Sequence, residues 1–183
     1  MEDALTCGPM FEFLKILINF FEKEKISYML SGSVAMSIYA VPRFTRDFDF
    51  IVHLLPKDIP LLLACFKEGY YCDADAVEEA VKLHGMFNII DHKSGYKADI
   101  MVLKNEPYRH VEFERRKFVE FMDIKLAIVS PEDLLLSKLI WIQNWDSGIQ
   151  KEDIKALLEI ENLQFDYISY WVKELKLNTF GLI

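Results

Sequence analysis

A chain of 183 residues that is 52% hydrophobic and 27% charged is long enough for a substantial core and too apolar to stay disordered. Its formal net charge of −8 disfavours a protein that coats nucleic acid, and suits a cationic or neutral partner or a site that recruits metal ions. Three cysteines without C-x-x-C spacing, no basic leader and no apolar run near the ~18 residues of a spanning helix predict a cytoplasmic protein with reduced thiols and no membrane partner.

Residues 9–25, PMFEFLKILINFFEKEK, place apolar side chains at helical spacing behind a first-turn proline, which predicts an amphipathic helix. ISYMLSG (26–32) reads as a short strand and SVAMSIYA (33–40) as a helix. VPRFTR (41–46) is a loop punctuated by Pro42, and DFDFIVHL (47–54) alternates like a half-buried strand. PKDIPLLLACFKEG (56–69) predicts a helix closed by Gly69, YYCD a short strand or loop, and AVEEAVKLHG (76–85) a second short helix. MFNIID (86–91) and YKADIMVL (96–103) flank the turn HKSG and predict a β-hairpin. Residues 109–122 pass from a short helix or loop into a strand near Phe118, and LAIVS (126–130) is a further strand. Ser130-Pro131-Glu132-Asp133 is a helix start with a Ser cap, a proline at the first position and an acid at the third. Helices follow over EDLLLSKLIWIQNW, KEDIKALLEIE and FDYISYWVKELKL. The expected class is therefore α/β (α+β), with a mixed core over 1–129 and a helical segment over 130–183 packed on it.

Asp47 and Asp49 need an explanation. Residues two apart on a strand face the same side, so their carboxylates lie close, repel each other and lose hydration. A divalent cation between them, or a solvated strand end, makes the arrangement tolerable. Mg²⁺ favours such oxygen ligands and is commonly shared between one or two carboxylates and substrate phosphates. Upstream, Gly32-Ser33 joins a strand to a helix, where the free N–H groups of the helix start and the Ser33 hydroxyl suit a phosphate. No GxxxxGK[ST] or GxGxxG is present. Asp99 lies inside the strand KADIMV, where an ionised side chain is unusual, and strand pairing would bring it beside the other two. Three convergent carboxylates can hold two Mg²⁺ ions in phosphoryl or nucleotidyl transfer.

The ordered set Gly32-Ser33, a helix, then Asp47-x-Asp49, with a later strand acid, resembles the core motif of the polymerase-β-like nucleotidyltransferase superfamily. The run Arg43, Thr45, Asp47, Asp49 resembles the R-x-T-x-D-x-D of its bacterial abortive-infection and toxin–antitoxin members. SPEDLLLSKL (130–139) and QKEDIKALL (150–158) are similar to their later helices, so the resemblance covers most of 27–158. Two departures are Ala40, where many relatives carry Gly, and the offset Lys151-Glu152-Asp153 in place of a K-D pair. The resemblance implies a small mixed sheet flanked by helices, with Asp47, Asp49 and Asp99 as metal-binding and catalytic acids. It implies two Mg²⁺ ions and a nucleoside triphosphate (NTP) held by Gly32, Ser33, Arg43, Thr45 and Lys138. The implied acceptor hydroxyl belongs to an RNA end such as a tRNA, or to a protein, with a cognate toxin or antitoxin chain as partner. An antibiotic-type small molecule is the alternative acceptor, and a non-catalytic nucleotide- or partner-binding module of the same fold is the reading from another class.

Simpler readings stand beside these. Arg43 and Arg46 would salt-bridge the nearby acids, Lys138 would be a surface lysine, and FERRKF (113–118), the single basic cluster, would be a solvated face or touch an acidic or RNA partner. Trp141, Trp145 and Trp171 would be core. His53, His84, His92 and His110 lack ligand spacing, so no zinc site is expected.

Overall fold

Alternation of large apolar with polar residues in 47–52 and 97–102 builds the centre of the sheet. The computed structural model describes residues 8–42, 45–121, 123–145 and 147–183. Its strands are β1 (Tyr28–Ser31), β2 (Asp47–Val52), β3 (Tyr70–Tyr71), β4 (Met86–Asp91), β5 (Lys97–Val102), β6 (Lys117–Phe121) and β7 (Ile124–Ile128). They form one mixed sheet in the order β3-β4-β5-β2-β1-β7-β6, with β2 parallel to β5, β1 parallel to β7, and the other neighbours antiparallel. The helices are α1 (Pro9–Lys23), α2 (Gly32–Tyr39), α3 (Ile59–Cys65), α4 (Ala74–Leu83), α5 (Pro107–Glu114), α6 (Pro131–Ile142), α7 (Gly148–Leu158) and α8 (Phe165–Glu174).

On one sheet face Phe48, Phe50, Phe87, Ile89, Ala98 and Ile100 are buried. Helix α1 covers them: the Phe13 ring lies 6.0 Å from Phe48, and Phe21 lies 5.5 Å from Phe50. Each buried ring contributes about 2–3 kcal/mol by leaving water. That face anchors the strands, so the opposite face of β2 and β5 carries charge without losing the sheet. In β1 both faces are buried, because α2 turns back over it and joins it to β2.

Strand β7 leads into α6 through Ser130, whose Oγ accepts the Asp133 N–H at 3.1 Å. Asp133 is the hub of a buried polar network. It accepts from Tyr108 (3.3 Å), Tyr167 (2.6 Å) and Arg115 (3.1 Å). Beside it the fully buried Glu112 accepts from Arg109 (2.8 Å) and Ser137 (2.5 Å). With every charge matched by donors, the network fastens α5, α6 and α8 together rather than leaving a desolvated charge between them. Buried residues of both the mixed core and the helical segment form one hydrophobic cluster. Among the described residues no helix is long and apolar enough to cross a membrane.

Four local expectations are corrected. The helix anticipated over 56–69 is a 3₁₀ turn (Pro56–Asp58) followed by the shorter α3. Asp58 Oδ2 takes the Leu55 N–H at 3.0 Å, which fixes the turn, and Gly69 lies at φ +84° ahead of β3 rather than at a helix end. Trp141 and Trp145 are not core but 48% and 66% exposed. The first turns of α6 are buried on nearly every side, whereas in its last turn Leu139 and Ile142 stay buried and Trp141 lies on the flank open to solvent. The basic run 113–118 is not simply a solvated face, because Arg115 lies 3.8 Å from the Tyr167 ring centre and pairs with Glu132 (3.3 Å) and Asp133 (3.1 Å). Lys138 is not a surface lysine but is buried.

Candidate active site

Register brings the strand acids together. In the parallel pair β2–β5, Asp47 stands opposite Lys97 and Asp49 opposite Asp99, and in the hairpin β4–β5, Asn88 stands opposite Asp99. All five side chains share the sheet face that α1 does not cover. Lys97 Nζ lies 3.0 Å from Asp99 Oδ2 and 3.8 Å from Asp47 Oδ1, and Asn88 Nδ2 donates to Asp99 Oδ1. Both oxygens of Asp99 are thus engaged by neighbouring side chains. Among the described residues, no three His, Cys, Asp or Glu side chains converge closely enough to hold one ion between them.

Asp49 is the most constrained of the three. Gly32 follows β1, whose Ser31 is paired with Asp49, and adopts φ +60°. A Cβ built on Gly32 would meet Asp49 Oδ2 at 1.9 Å and Cγ at 2.5 Å. The Gly is therefore required twice, by its backbone conformation and by the carboxylate against its Cα. Burial pushes the Asp49 carboxyl above the usual aspartate range, and the charges of Asp99 and Asp47 push the same way. The Ser33 backbone N–H and the Lys138 charge oppose them. Gly32→Ala is expected to cost about 2 kcal/mol or more, from the left-handed conformation and the clash together, and to displace Asp49. Chemical denaturation checks the first and a crystal structure of the variant the second. A wild-type midpoint with Asp49 unmoved would show that the contact is loose.

Lys138 is buried on α6. Its Nζ donates to Asp153 Oδ2 at 2.8 Å and to Gln150 Oε1 at 2.9 Å, both from α7. Asp153, which the sequence comparison left offset, is thus the α7 acid that meets the α6 lysine. The ammonium is turned inward by this pair, and its field reaches Asp49.

The remaining expected residues fall as follows. Ser33 is the second residue of α2, and its backbone N–H counters the upward push on the Asp49 carboxyl. The Thr45 hydroxyl is engaged with the backbone of Asp47, accepting its N–H at 3.1 Å, and so fastens the start of β2. Arg43 lies outside the described residues. Arg46 is exposed, and its carbonyl accepts the Lys97 N–H at 3.1 Å. Sequence reading missed Lys97, Asn88 and Gln150. The first two were within reach of it. Lys97 is two residues before Asp99 and must share its face, and the HKSG turn sets a register that brings Asn88 opposite.

Neither the protein-family models nor the curated proteins gave a match to this chain. Solved structures did. The lincosamide antibiotic adenylyltransferase LnuA, in its lincomycin-bound form, superposes at TM-score 0.55 with 17% identity, over 81% of this chain and 96% of its own. The ANT(2'')-Ia complex with adenylyl-2''-tobramycin gives 0.59 with 11% identity, over 90% and 95%. The chain has the nucleotidyltransferase fold. An antigenic nucleotidyltransferase-like protein from Paracoccidioides brasiliensis shares it at 0.56 with 17% identity, over 90% of this chain and 85% of its own. At such identities the likeness speaks to the fold, and the chemistry has to be argued from the side chains.

Proposed function

We propose that this protein transfers a nucleoside monophosphate from an NTP to an acceptor hydroxyl with the help of Mg²⁺. The observation that carries the reading is the in-register row Asp47, Asp49 and Asp99, with the Gly32-Ser33 helix start pressed against Asp49 in a nucleotidyltransferase fold. The donor set fits a hard divalent cation: it offers carboxylate oxygens, and a cation, the Lys97 ammonium, already lies between Asp47 and Asp99. Asp47 and Asp49 would hold Mg²⁺, with Asp99 beside them. When bound, the ion would neutralise charge on the phosphoryl oxygens.

The chain's own groups do the rest. Backbone N–H groups at the start of α2, the Ser33 hydroxyl and the inward Lys138 ammonium draw the triphosphate to the acids, and Arg43 and Thr45, between α2 and β2 in sequence, belong to the same nucleotide site. The acceptor oxygen forms its bond to the α-phosphorus as the bond to the bridging β-oxygen breaks. Pyrophosphate leaves with that electron pair, and Asp99 takes the acceptor proton.

Two acceptor classes follow from separate observations. The R-x-T-x-D-x-D resemblance supports an RNA end or a protein, with a cognate toxin or antitoxin chain. The fold shared with LnuA and ANT(2'')-Ia, together with the net charge of −8, supports a cationic small molecule. Incubation with each α-labelled NTP and Mg²⁺, beside cell extract, an aminoglycoside or a lincosamide, separates them by where the label goes. Nucleotide binding without labelled product would support the non-catalytic module. No product and no thermal shift from any NTP would overturn the proposal.

A further inference from the structure

We infer that Lys97 is a resident counter-cation of the acidic row, so that the nucleotide-free protein takes a single divalent ion, at Asp47 and Asp49, and not two. The inference rests on the metal-dependent reading above and refines it. Four observations support it. Lys97 is paired across the strands with Asp47 and stands two residues before Asp99, so it takes the fourth corner of the square whose other corners are the three acids. Its ammonium is 3.0 Å from Asp99 Oδ2 and 3.8 Å from Asp47 Oδ1, which is where a second cation bridging those carboxylates would stand. The other oxygen of Asp99 accepts from Asn88, so both Asp99 oxygens already have donors that a second cation would compete with. Asp49, by contrast, is packed against Gly32 with no ammonium among the described residues in contact, and Asp47 is half exposed and meets the ammonium through Oδ1.

The physical reason for such a residue is charge balance. Three carboxylates on one sheet face repel each other, and a fixed ammonium among them relieves that repulsion without waiting for a metal. A lysine also differs from an ion in being tethered. Its four-carbon stem, about one-third exposed, lets the ammonium follow the phosphate oxygens when the triphosphate enters. Asp99 is then released to receive the acceptor proton.

Counting Mn²⁺ ions on the nucleotide-free protein, by electron paramagnetic resonance and equilibrium dialysis, tests this without reference to activity. Wild type is expected to bind one ion. Lys97→Met is expected to bind two, the second at least tenfold more tightly than any second ion on wild type and lost again in Lys97→Met/Asp99→Asn. Lys97→Arg, which keeps a cation there, is expected to return to one. Two ions on wild type with unchanged affinities in Lys97→Met would overturn the inference and leave the metal-dependent reading standing. One ion on both would also overturn it. No ion on any variant, with none recruited by added NTP, would instead remove the reading on which it rests. Circular dichroism of each variant confirms that the counts come from folded protein.

Discussion

Asp49→Asn is expected to lower nucleotidyl transfer by about 10³-fold or more while raising the melting temperature. On the proposed mechanism the loss follows from removing a charged metal ligand at the reacting phosphate, a change worth about 4 kcal/mol in the transition state. The gain follows from the environment of the carboxylate. Burial, then Asp99 and Asp47, hold its pKa above the ordinary aspartate value. In the unfolded chain the proton leaves near pH ~4. In the folded protein it stays to higher pH. Between the two values the folded state binds more protons, so this group's contribution to stability falls as pH rises and is at its least favourable at neutral pH. Asparagine keeps the shape, still accepts the Ser33 N–H, and carries no charge to desolvate. The melting temperature of the variant should therefore exceed that of wild type at pH 7, and the difference should vanish below pH ~4. Asp47→Asn is the control. It should lose activity similarly with little change in stability, because Asp47 is 49% exposed. Thermal melts across pH, with initial rates at saturating nucleotide, decide the matter. A variant that is both inactive and less stable at pH 7 would show that the carboxylate holds the fold together rather than being strained for function.

Much of this arrangement was legible in the sequence because it is local. The i, i+2 spacing of Asp47 and Asp49 fixes a shared face, the Ser130 cap and Pro131 fix the start of α6, and HKSG fixes the hairpin that carries Asp99. What brings Asp99 to Asp49 is not local. It is the parallel pairing of β2 with β5 across 50 residues, which motif order suggested and no periodicity could specify. The state of Lys138 was illegible for a related reason. A lysine on a helix is exposed far more often than not, and only the packing of α7 on α6 supplies Asp153 and Gln150 and turns the ammonium inward. The tryptophans failed in the opposite sense. Trp141 lies on the outward flank of α6, although Leu139 and Ile142 on either side of it in sequence are buried. An apolar residue adds to a helical pattern whichever way it points, and the packing of neighbouring elements decides which flank is covered.

Lys138 is where stability and function should separate most cleanly. Its side chain is 7% exposed and that of Asp153 2%, so Lys138→Met leaves a desolvated carboxylate without its ammonium. Breaking a buried pair from one side costs about 3–5 kcal/mol, which in a domain of this size lowers the melting temperature by roughly 10 °C. The double variant Lys138→Met/Asp153→Leu removes both charges. Because apolar replacement of a buried pair is often neutral, it should recover most of the lost stability. It should not recover function, because the charge that acts on Asp49 is gone from both variants. Nucleotide affinity in the double variant is expected to stay at least tenfold below wild type, measured by titration calorimetry with the NTP that the enzyme accepts. A single variant that melts like wild type would show that the pair is hydrated in solution. A double variant that regains both stability and affinity would reduce Lys138 to a structural residue and leave the triphosphate to the α2 N-terminus and the arginines between α2 and β2.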